Sequence, residues 1–376
     1  MGKIRVLHMP LFNVLGGVEQ YVFESWRFID KTRFAFDIAT RSELFDLEEQ
    51  LASQGCTVHR YRTNSVVNPS AFRDDIRMIM GQGYDIVHLH TSYWNGIIAE
   101  EVAMDLKIPK VIVHSHNTGL AGLFSGGTDA EFKAVTLKHE SIKSHFALNR
   151  DKLSTNLCAC SKAAANWLFD ETIPRNEIRI LKNGIDLERF SYKPDIRQAY
   201  RQKLGLNGCF VIGHVGRFVY QKNHDFLLEV FASLVQRCPT ARLLLAGNGD
   251  LFEKTKDLAC QLRINDKVIF LGEREDVHFL MQAMDVFMLP SHFEGLGIVL
   301  IEAQAAGLLC IASEHVPQES KVTENLEYLP LDASLWNIKL SDIFGGYDRY
   351  NGINDIRDAG YDKRECVKEL EKFYLE

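Results

Sequence analysis

No Cys-x-x-Cys pair occurs among the eight cysteines, at 56, 158, 160, 209, 238, 260, 310 and 366. Their scatter through apolar segments argues against a zinc site or a disulfide framework and suits reduced, buried thiols of a cytosolic protein. Positive charge is not in excess either. The formal net charge of −7 leaves no whole-molecule basic field for general nucleic-acid binding. The most apolar long segment, 297–312, is interrupted by Glu302 and Gln304, so nothing reaches the length of a membrane span and any membrane contact is expected to be peripheral. Met1-Gly2-Lys3-Ile4-Arg5-Val6 lacks an apolar leader and has Val6 where a myristoylation motif needs Ser or Thr, so the mature chain is expected to start there. A full Gly-x-Gly-x-x-Gly is absent, and with it most support for a hydride-transfer enzyme.

The chain does contain a regular alternation. Its 376 residues exceed what one core usually organises, so two domains are expected. Apolar runs of four to seven residues alternate with helical-period segments, which predicts an α/β protein with parallel sheets. Strands are expected at 4–9, 34–40, 57–61, 85–90, 110–114, 156–160 and 178–181. The pattern restarts at 210–215, 242–246, 268–271, 286–289 and 309–312, and Pro194 with polar neighbours marks the break. We therefore expect one doubly wound domain over 1–190 and a second over 191–360, with ligands bound in a cleft beyond the strand C-termini.

Strand-following loops carry the chemistry-bearing residues. Ser291 to Ala303 reads as a strand end, a glycine-bearing turn and a helix start near Gly297, with Glu294 in the turn and Glu302 in the helix. Free backbone N–H groups at such a helix start suit a phosphate, and paired carboxylates suit hydroxyls, which together describe a nucleotide sugar. A capping glutamate and a core-edge glutamate are the plain alternative. Gly216-Arg217 and Lys222-Asn223 follow the first strand of the second half; they read as a cationic diphosphate cradle or as solvated surface charge. Asp-x-Asp is absent there, so a leaving diphosphate would take its countercharge from these cations. Gly16-Gly17 allows close backbone approach or forms a simple turn, and Asn183-Gly184 marks a turn with positive φ. Gly247-Asn248-Gly249 is only a fragment of a dinucleotide fingerprint, and Gly272-Glu273-Arg274 could offer main-chain groups to a base edge.

His88-x-His90 and His114-x-His116 each end a strand, with the two rings of each pair on one face. A metal site is conceivable from that spacing, but carboxylates or thiols to complete it are not evident, and no metal is expected. His116 reads instead as a neutral hydrogen-bonding group, with His88 and His114 as core histidines. Residues 133–152 hold five Lys/Arg against Glu140 and Asp151 on an amphipathic pattern, following a flexible, partly apolar loop at 119–127. That segment could rest weakly on an anionic membrane or be a core helix with a solvated basic face.

Together these residues resemble the retaining glycosyltransferases of family 4, which have the GT-B fold of two Rossmann-like domains facing a central cleft. The resemblance runs through Gly16-Gly17, His114-Ser115-His116-Asn117, Asn183-Gly184-Ile185-Asp186, Gly216-Arg217, Lys222-Asn223, Gly247-Asn248-Gly249, Phe270-Leu271-Gly272 and the Glu294-x7-Glu302 pair. It is strongest toward bacterial enzymes that build exopolysaccharide or capsule. One departure is Leu309, where many relatives have proline.

The resemblance implies a hexosyltransferase moving a hexose or N-acetylhexosamine from a nucleotide sugar, most often UDP-linked, to a saccharide acceptor that is lipid-linked. It implies catalysis by His116, Arg217, Lys222 and Glu294, and donor binding by Gly16, Gly17, Gly216, Asn248, Gly272, Arg274, Gly295, Leu296, Gly297 and Glu302. Arg217 and Lys222 would hold the diphosphate, Glu302 the ribose, and Glu294 and His116 the transferred sugar. No metal or other cofactor is implied, and a terminal helix at about 361–376 would cross back to the first domain. Placement is expected in the cytoplasm, with peripheral contact at the inner face of the plasma membrane. The alternatives are a nucleotide-sugar epimerase on the same fold and a non-catalytic sugar-nucleotide-binding protein. Gly119 to Thr128 is the candidate acceptor loop.

Overall fold

A computed structural model of the chain describes residues 2–12, 16–45, 47–120 and 129–376. Two compact units divide it. Among the described residues the first takes in those up to 120 together with 129–183 and 363–376, and the second takes in 184–362.

The first unit is built on a seven-stranded parallel sheet. Its strands are β1 (Ile4–Leu11), β2 (Phe34–Thr40), β3 (Val58–Arg60), β4 (Ile86–Thr91), β5 (Lys110–Ser115), β6 (Asn156–Ala159) and β7 (Ile178–Ile180). Their spatial order is β3-β2-β1-β4-β5-β6-β7, so the winding reverses between β1 and β4. Six-residue runs such as Ile-Val-His-Leu-His-Thr of β4 are almost wholly buried, as expected for strands covered on both faces. The helix Gly17–Phe28 carries Glu19 in its first turn and Arg27 in its last, both favourable to the helix dipole. Its inner face, with Tyr21, Val22 and Trp26, joins Val6, Ile38, Ile86 and Ile112 in one core.

The terminal helix Lys363–Leu375 belongs to this same core through Val367, Leu370, Phe373 and Tyr374. Long-range bonds fasten it. Asp30 N donates to Glu371 Oε1 (2.7 Å), Lys110 Nζ donates to the Phe373 carbonyl (2.6 Å), and the Tyr374 hydroxyl stands 2.7 Å from His88 Nδ1.

The second unit repeats the design with six parallel strands, β8 (Phe210–Val215), β9 (Ala241–Ala246), β10 (Val268–Phe270), β11 (Val286–Leu289), β12 (Leu309–Ser313) and β13 (Leu326–Leu329). Their order is β10-β9-β8-β11-β12-β13, reversing between β8 and β11. Helix His224–Arg237 packs Leu227, Leu228, Phe231 and Leu234 onto Phe210, Ile212, Leu243 and Trp336. Helix Ile298–Ala305 is buried on every side except at Ile298, which explains why its sequence is apolar nearly throughout.

Three expectations need correction. β13 was not anticipated: Leu-Glu-Tyr-Leu is a short edge strand whose outward Glu327 breaks the apolar run. No turn forms at Asn183-Gly184, where the chain runs on to a bridge between Ile185 and Asp362. The basic segment 133–152 is not one helix: a helix spans Asp129–Leu148 and a separate 3-10 turn spans Arg150–Lys152. Within it Arg150 pairs with Asp151 and Glu177, Lys143 pairs with Glu140, and His139 is buried, accepting from Trp94 N at 3.0 Å and stacked on Trp167. Residues 121–128, most of the candidate acceptor loop, lie outside the described residues.

Candidate active site

In the second unit, the reversal between β8 and β11 brings two loops together. The loop after β8 continues through Gly216 and Arg217 to a 3-10 turn, Tyr220–Lys222, and Asn223 in the left-handed region (φ 55°) starts helix His224–Arg237. The loop after β11 carries Ser291 to Gly297 into helix Ile298–Ala305. Gly297 caps that helix at φ 80°, a conformation that costs glycine nothing.

Glu294 joins the loops. Its Oε1 accepts from Lys222 Nζ at 2.6 Å and from Ser291 Oγ at 2.7 Å, while Oε2 accepts from Gln221 Nε2 at 3.2 Å. Both members of the ion pair are largely buried, with side-chain exposures of 14% for Lys222 and 8% for Glu294. The same Gln221 amide also donates to the Phe293 carbonyl, its backbone carbonyl accepts from His292 N, and Tyr220 stacks on His292 with ring centroids 4.4 Å apart. Ser291 is in turn held through its carbonyl by Ser313 Oγ. Glu294 is therefore fixed by three side chains, those of Lys222, Gln221 and Ser291, before any ligand arrives.

Close backbone packing shapes the floor beside it. A Cβ on Gly247 would fall 2.0 Å from the Gly216 carbonyl oxygen, and one on Gly216 would fall 3.1 Å from Lys222 Cε and 3.2 Å from His214 Nε2. The missing side chain at Gly247 lets its backbone meet that of Gly216, and the one missing at Gly216 leaves room for the Lys222 stem. Beneath the loop, His214 Nδ1 donates to the Met288 carbonyl (2.8 Å), and burial pushes its pKa down to about 4. Arg217 is exposed, and its side chain has no partner among the described residues.

The other expected donor-binding residues fall nearby in the same unit. Asn248 is exposed at the end of β9, and its carbonyl accepts from Phe218 N at 2.9 Å. Gly272 follows β10 and accepts from Gly247 N through its carbonyl. Arg274 grips Asp276 with two bonds of 2.7 and 2.6 Å, so its guanidinium is already occupied and the loop's free capacity is its main chain. Gly295 and Leu296 are buried in the loop before the cap, and Glu302 is buried one turn into the helix.

Gly16, Gly17 and His116 lie in the first unit. Gly16 caps helix Gly17–Phe28, and Glu19 folds back so that its Oε1 accepts from Phe12 N at 3.1 Å. His116 sits just beyond β5. Its ring completes a cluster of five histidines at the β1/β4/β5 strand ends, of which the sequence pattern identified four and missed His8. His8 Nδ1 stands 3.0 Å from His90 Nε2, His90 Nδ1 stands 2.9 Å from His116 Nε2, and His88 Nε2 stands 2.9 Å from His114 Nδ1. Burial drives all five pKa values down, His116 to about 3, so the rings are neutral. Two groups, His8/His88/His90 and His90/His114/His116, place nitrogens close enough together to hold a metal ion.

Comparison with known proteins gives this arrangement a family. The Glycosyltransferase Family 4 profile matches residues 15–189, and the Glycosyl transferases group 1 profile matches 196–329. EpsF of Bacillus subtilis (strain 168), by name a glycosyltransferase, is 33% identical over 323 residues, covering 84% of this chain and 80% of its own. The chain belongs to the family 4 glycosyltransferases. This glycosyltransferase is also 24% identical over 319 residues to an Escherichia coli protein named UDP-Gal:alpha-D-GlcNAc-diphosphoundecaprenol alpha-1,3-galactosyltransferase, covering 83% of this chain and 79% of that one. Its fold matches that of Anabaena HepE, solved with UDP and glucose, with a TM-score of 0.77 at 17% identity over 98% of this chain and 99% of HepE. The GT-B architecture is thus shared at low sequence identity.

In chemical terms, the second unit of the glycosyltransferase presents a free guanidinium, a buried ammonium with two unused N–H donors, and a helix start at one strand-order reversal. Such positions are where doubly wound sheets bind ligands. Among the described residues no helix is long and apolar enough to cross a membrane.

Proposed function

We propose that the enzyme transfers a hexose or N-acetylhexosamine, with retention and without a metal, from a UDP-linked sugar to a lipid-linked saccharide in surface polysaccharide biosynthesis. The observation that carries this reading is the buried Lys222–Glu294 pair beside the unpartnered Arg217. Arg217 and Lys222 take the diphosphate, and their charge offsets what develops as it leaves. Glu294 holds hydroxyls of the transferred sugar, Glu302 holds the ribose, and the main chain of 272–274 meets the base. His116 contacts the sugar from the first unit.

Retention is supported by the state of Glu294. Both its oxygens are engaged by Lys222, Ser291 and Gln221, which suits an oriented hydrogen-bonding group better than a free covalent nucleophile. The incoming hydroxyl then attacks from the leaving-group face, and the departing phosphate accepts its proton. The name of the Escherichia coli relative supports both the UDP-linked donor and the diphospholipid acceptor.

A lipid-linked acceptor brings the enzyme to a membrane surface. Helix Asp129–Leu148 exposes Lys133, Lys138 and Leu137 there, the last 63% accessible. Co-sedimentation with anionic liposomes at low salt checks this contact, and failure to sediment refutes it.

The test of the reaction is incubation with a panel of UDP-sugars and a lipid-linked saccharide, with product read by mass spectrometry and anomeric configuration by NMR. An α-linked product from an α-linked donor, formed equally in chelator, is expected, and Glu294→Gln should abolish it in a folded protein. An inverted product, a metal requirement, or donor isomerisation without acceptor would each overturn the corresponding part.

A further inference from the structure

We propose that His214 is a positioning residue for Lys222. Its Nε2 accepts one ammonium N–H when the donor diphosphate binds, Glu294 accepts a second, and the third is left aimed at phosphate. This rests on the reading of Lys222 as a diphosphate ligand.

The proton on His214 is placed by its partner. Nδ1 stands 2.8 Å from the Met288 carbonyl, which can only accept, so Nδ1 carries the hydrogen. Burial outweighs that bond and, with a smaller push from the charge of Lys222, lowers the pKa to about 4. The ring is therefore neutral, with one proton only, and Nε2 is a bare lone pair. It is buried and has no hydrogen-bond partner among the described residues.

That lone pair and the Lys222 side chain border one small space. A Cβ built on Gly216 would lie 3.2 Å from His214 Nε2, 3.1 Å from Lys222 Cε and 3.2 Å from Lys222 Cδ. With glycine at 216, no side chain enters the space. Lys222 Nζ gives one hydrogen to Glu294 Oε1 at 2.6 Å and has two more to give. Its four-carbon stem leaves Nζ free to turn toward Nε2.

His224 is the other ring beside His214. The two stand nearly perpendicular with centroids 4.8 Å apart, and both nitrogens of His224 are buried without a partner, so it does not donate to His214 Nε2. Burial, then His214 and Lys222, hold its pKa well below the usual value, and a neutral ring there adds no charge to compete with the ammonium.

The experiment uses full-length protein labelled with 15N at histidine, with two-bond correlation spectra that separate protonated from bare ring nitrogens and UDP as the probe. His214 is assigned by the signals lost in His214→Asn. It is expected as the Nδ1–H form, and saturating UDP should move its Nε2 resonance to lower shift, the mark of a lone pair that has gained a donor. Two variants then separate positioning from structure. His214→Asn keeps an amide donor for the Met288 carbonyl and removes the acceptor, so the UDP Kd by calorimetry should rise about tenfold, the worth of one hydrogen bond to a charged group. His214→Gln gives up the Met288 bond but places an amide oxygen near the position of Nε2, so it should melt earlier yet bind UDP within about twofold of the parent. The reverse order of affinities, or equal loss in both variants, would overturn the proposal. So would an Nε2–H form of His214, or an Nε2 that already has a donor before UDP is added, as a buried water would supply. The parent's spectrum decides even where a variant fails to fold. UDP binding with His214 Nε2 unmoved overturns the proposal alone, whereas absence of UDP binding overturns the diphosphate reading of Lys222 together with it.

Discussion

Acidification from pH 7.5 to pH 5.5, above the range in which ordinary carboxylates titrate, should unfold the first unit. Burial lowers the pKa values of His8, His88, His90, His114 and His116, the last to about 3. In the unfolded chain each returns to about 6.5, so each group's stabilisation is complete above that pH and is lost as pH falls toward the folded value. Between pH 7.5 and pH 5.5 the unfolded chain gains a proton at each site while the folded rings stay neutral, a loss of about 1.4 kcal/mol per histidine and about 7 kcal/mol for five. Glu100 opposes this. Burial raises its carboxyl to about 7, so it takes up a proton in the folded state over the same range and returns about 2 kcal/mol. The net loss of about 5 kcal/mol is comparable with the whole stability of an ordinary domain.

In the second unit only His214 and His224 are comparably buried, for a loss of about 3 kcal/mol, and the half-exposed His278 adds less. Urea titrations at the two pH values, followed by tryptophan fluorescence, provide the assay, because Trp26, Trp94 and Trp167 lie in the first unit and only Trp336 in the second. The fluorescence midpoint should fall steeply at pH 5.5, ahead of the overall loss of circular dichroism. Equal midpoints at both pH values would refute the neutral-histidine account.

Gly247→Ala sets a Cβ against the Gly216 carbonyl at a backbone φ of 137°, and should cost about 2–4 kcal/mol in urea unfolding while weakening binding of the proposed UDP-linked donor by displacing the Gly216 loop. Arg217→Ala, at an exposed and unpartnered side chain, should leave stability within about 0.5 kcal/mol yet lower kcat/KM at least tenfold, a separation that thermal melts and initial rates resolve. Lys222→Met leaves Glu294 buried without its cation, so both the melting temperature and turnover should drop, the former by the equivalent of about 3–5 kcal/mol; an unchanged melt would show the pair to be unimportant for stability.

The strands of both sheets were legible because parallel strands covered on both faces are written as short apolar runs, and the site loops because they follow those runs. β13 was hidden by its exposed Glu327, since an edge strand needs apolar residues on only part of its surface. Pairings over long separations were not readable. Lys222 meets Glu294 across 72 residues only because β8 and β11 are neighbours, and Arg150 loses its free charge to Glu177, 27 residues on. Likewise, the pattern showed two His-x-His pairs, but the part played by His8 depends on the register of β1 against β4.

The terminal helix bears on the order in which the protein is made. Residues 184–362, the bulk of the second unit, are all synthesised before Lys363–Glu376, the last piece of the first. On the ribosome the later half can therefore close its core while the earlier half still waits for Val367, Leu370 and Phe373 to cover its sheet. Tyr374 reaches His88 from 286 residues away, so the histidine cluster obtains its phenol only after residues 184–362 have been made, and a chain stopped at Phe373 would leave His88 Nδ1 without that partner.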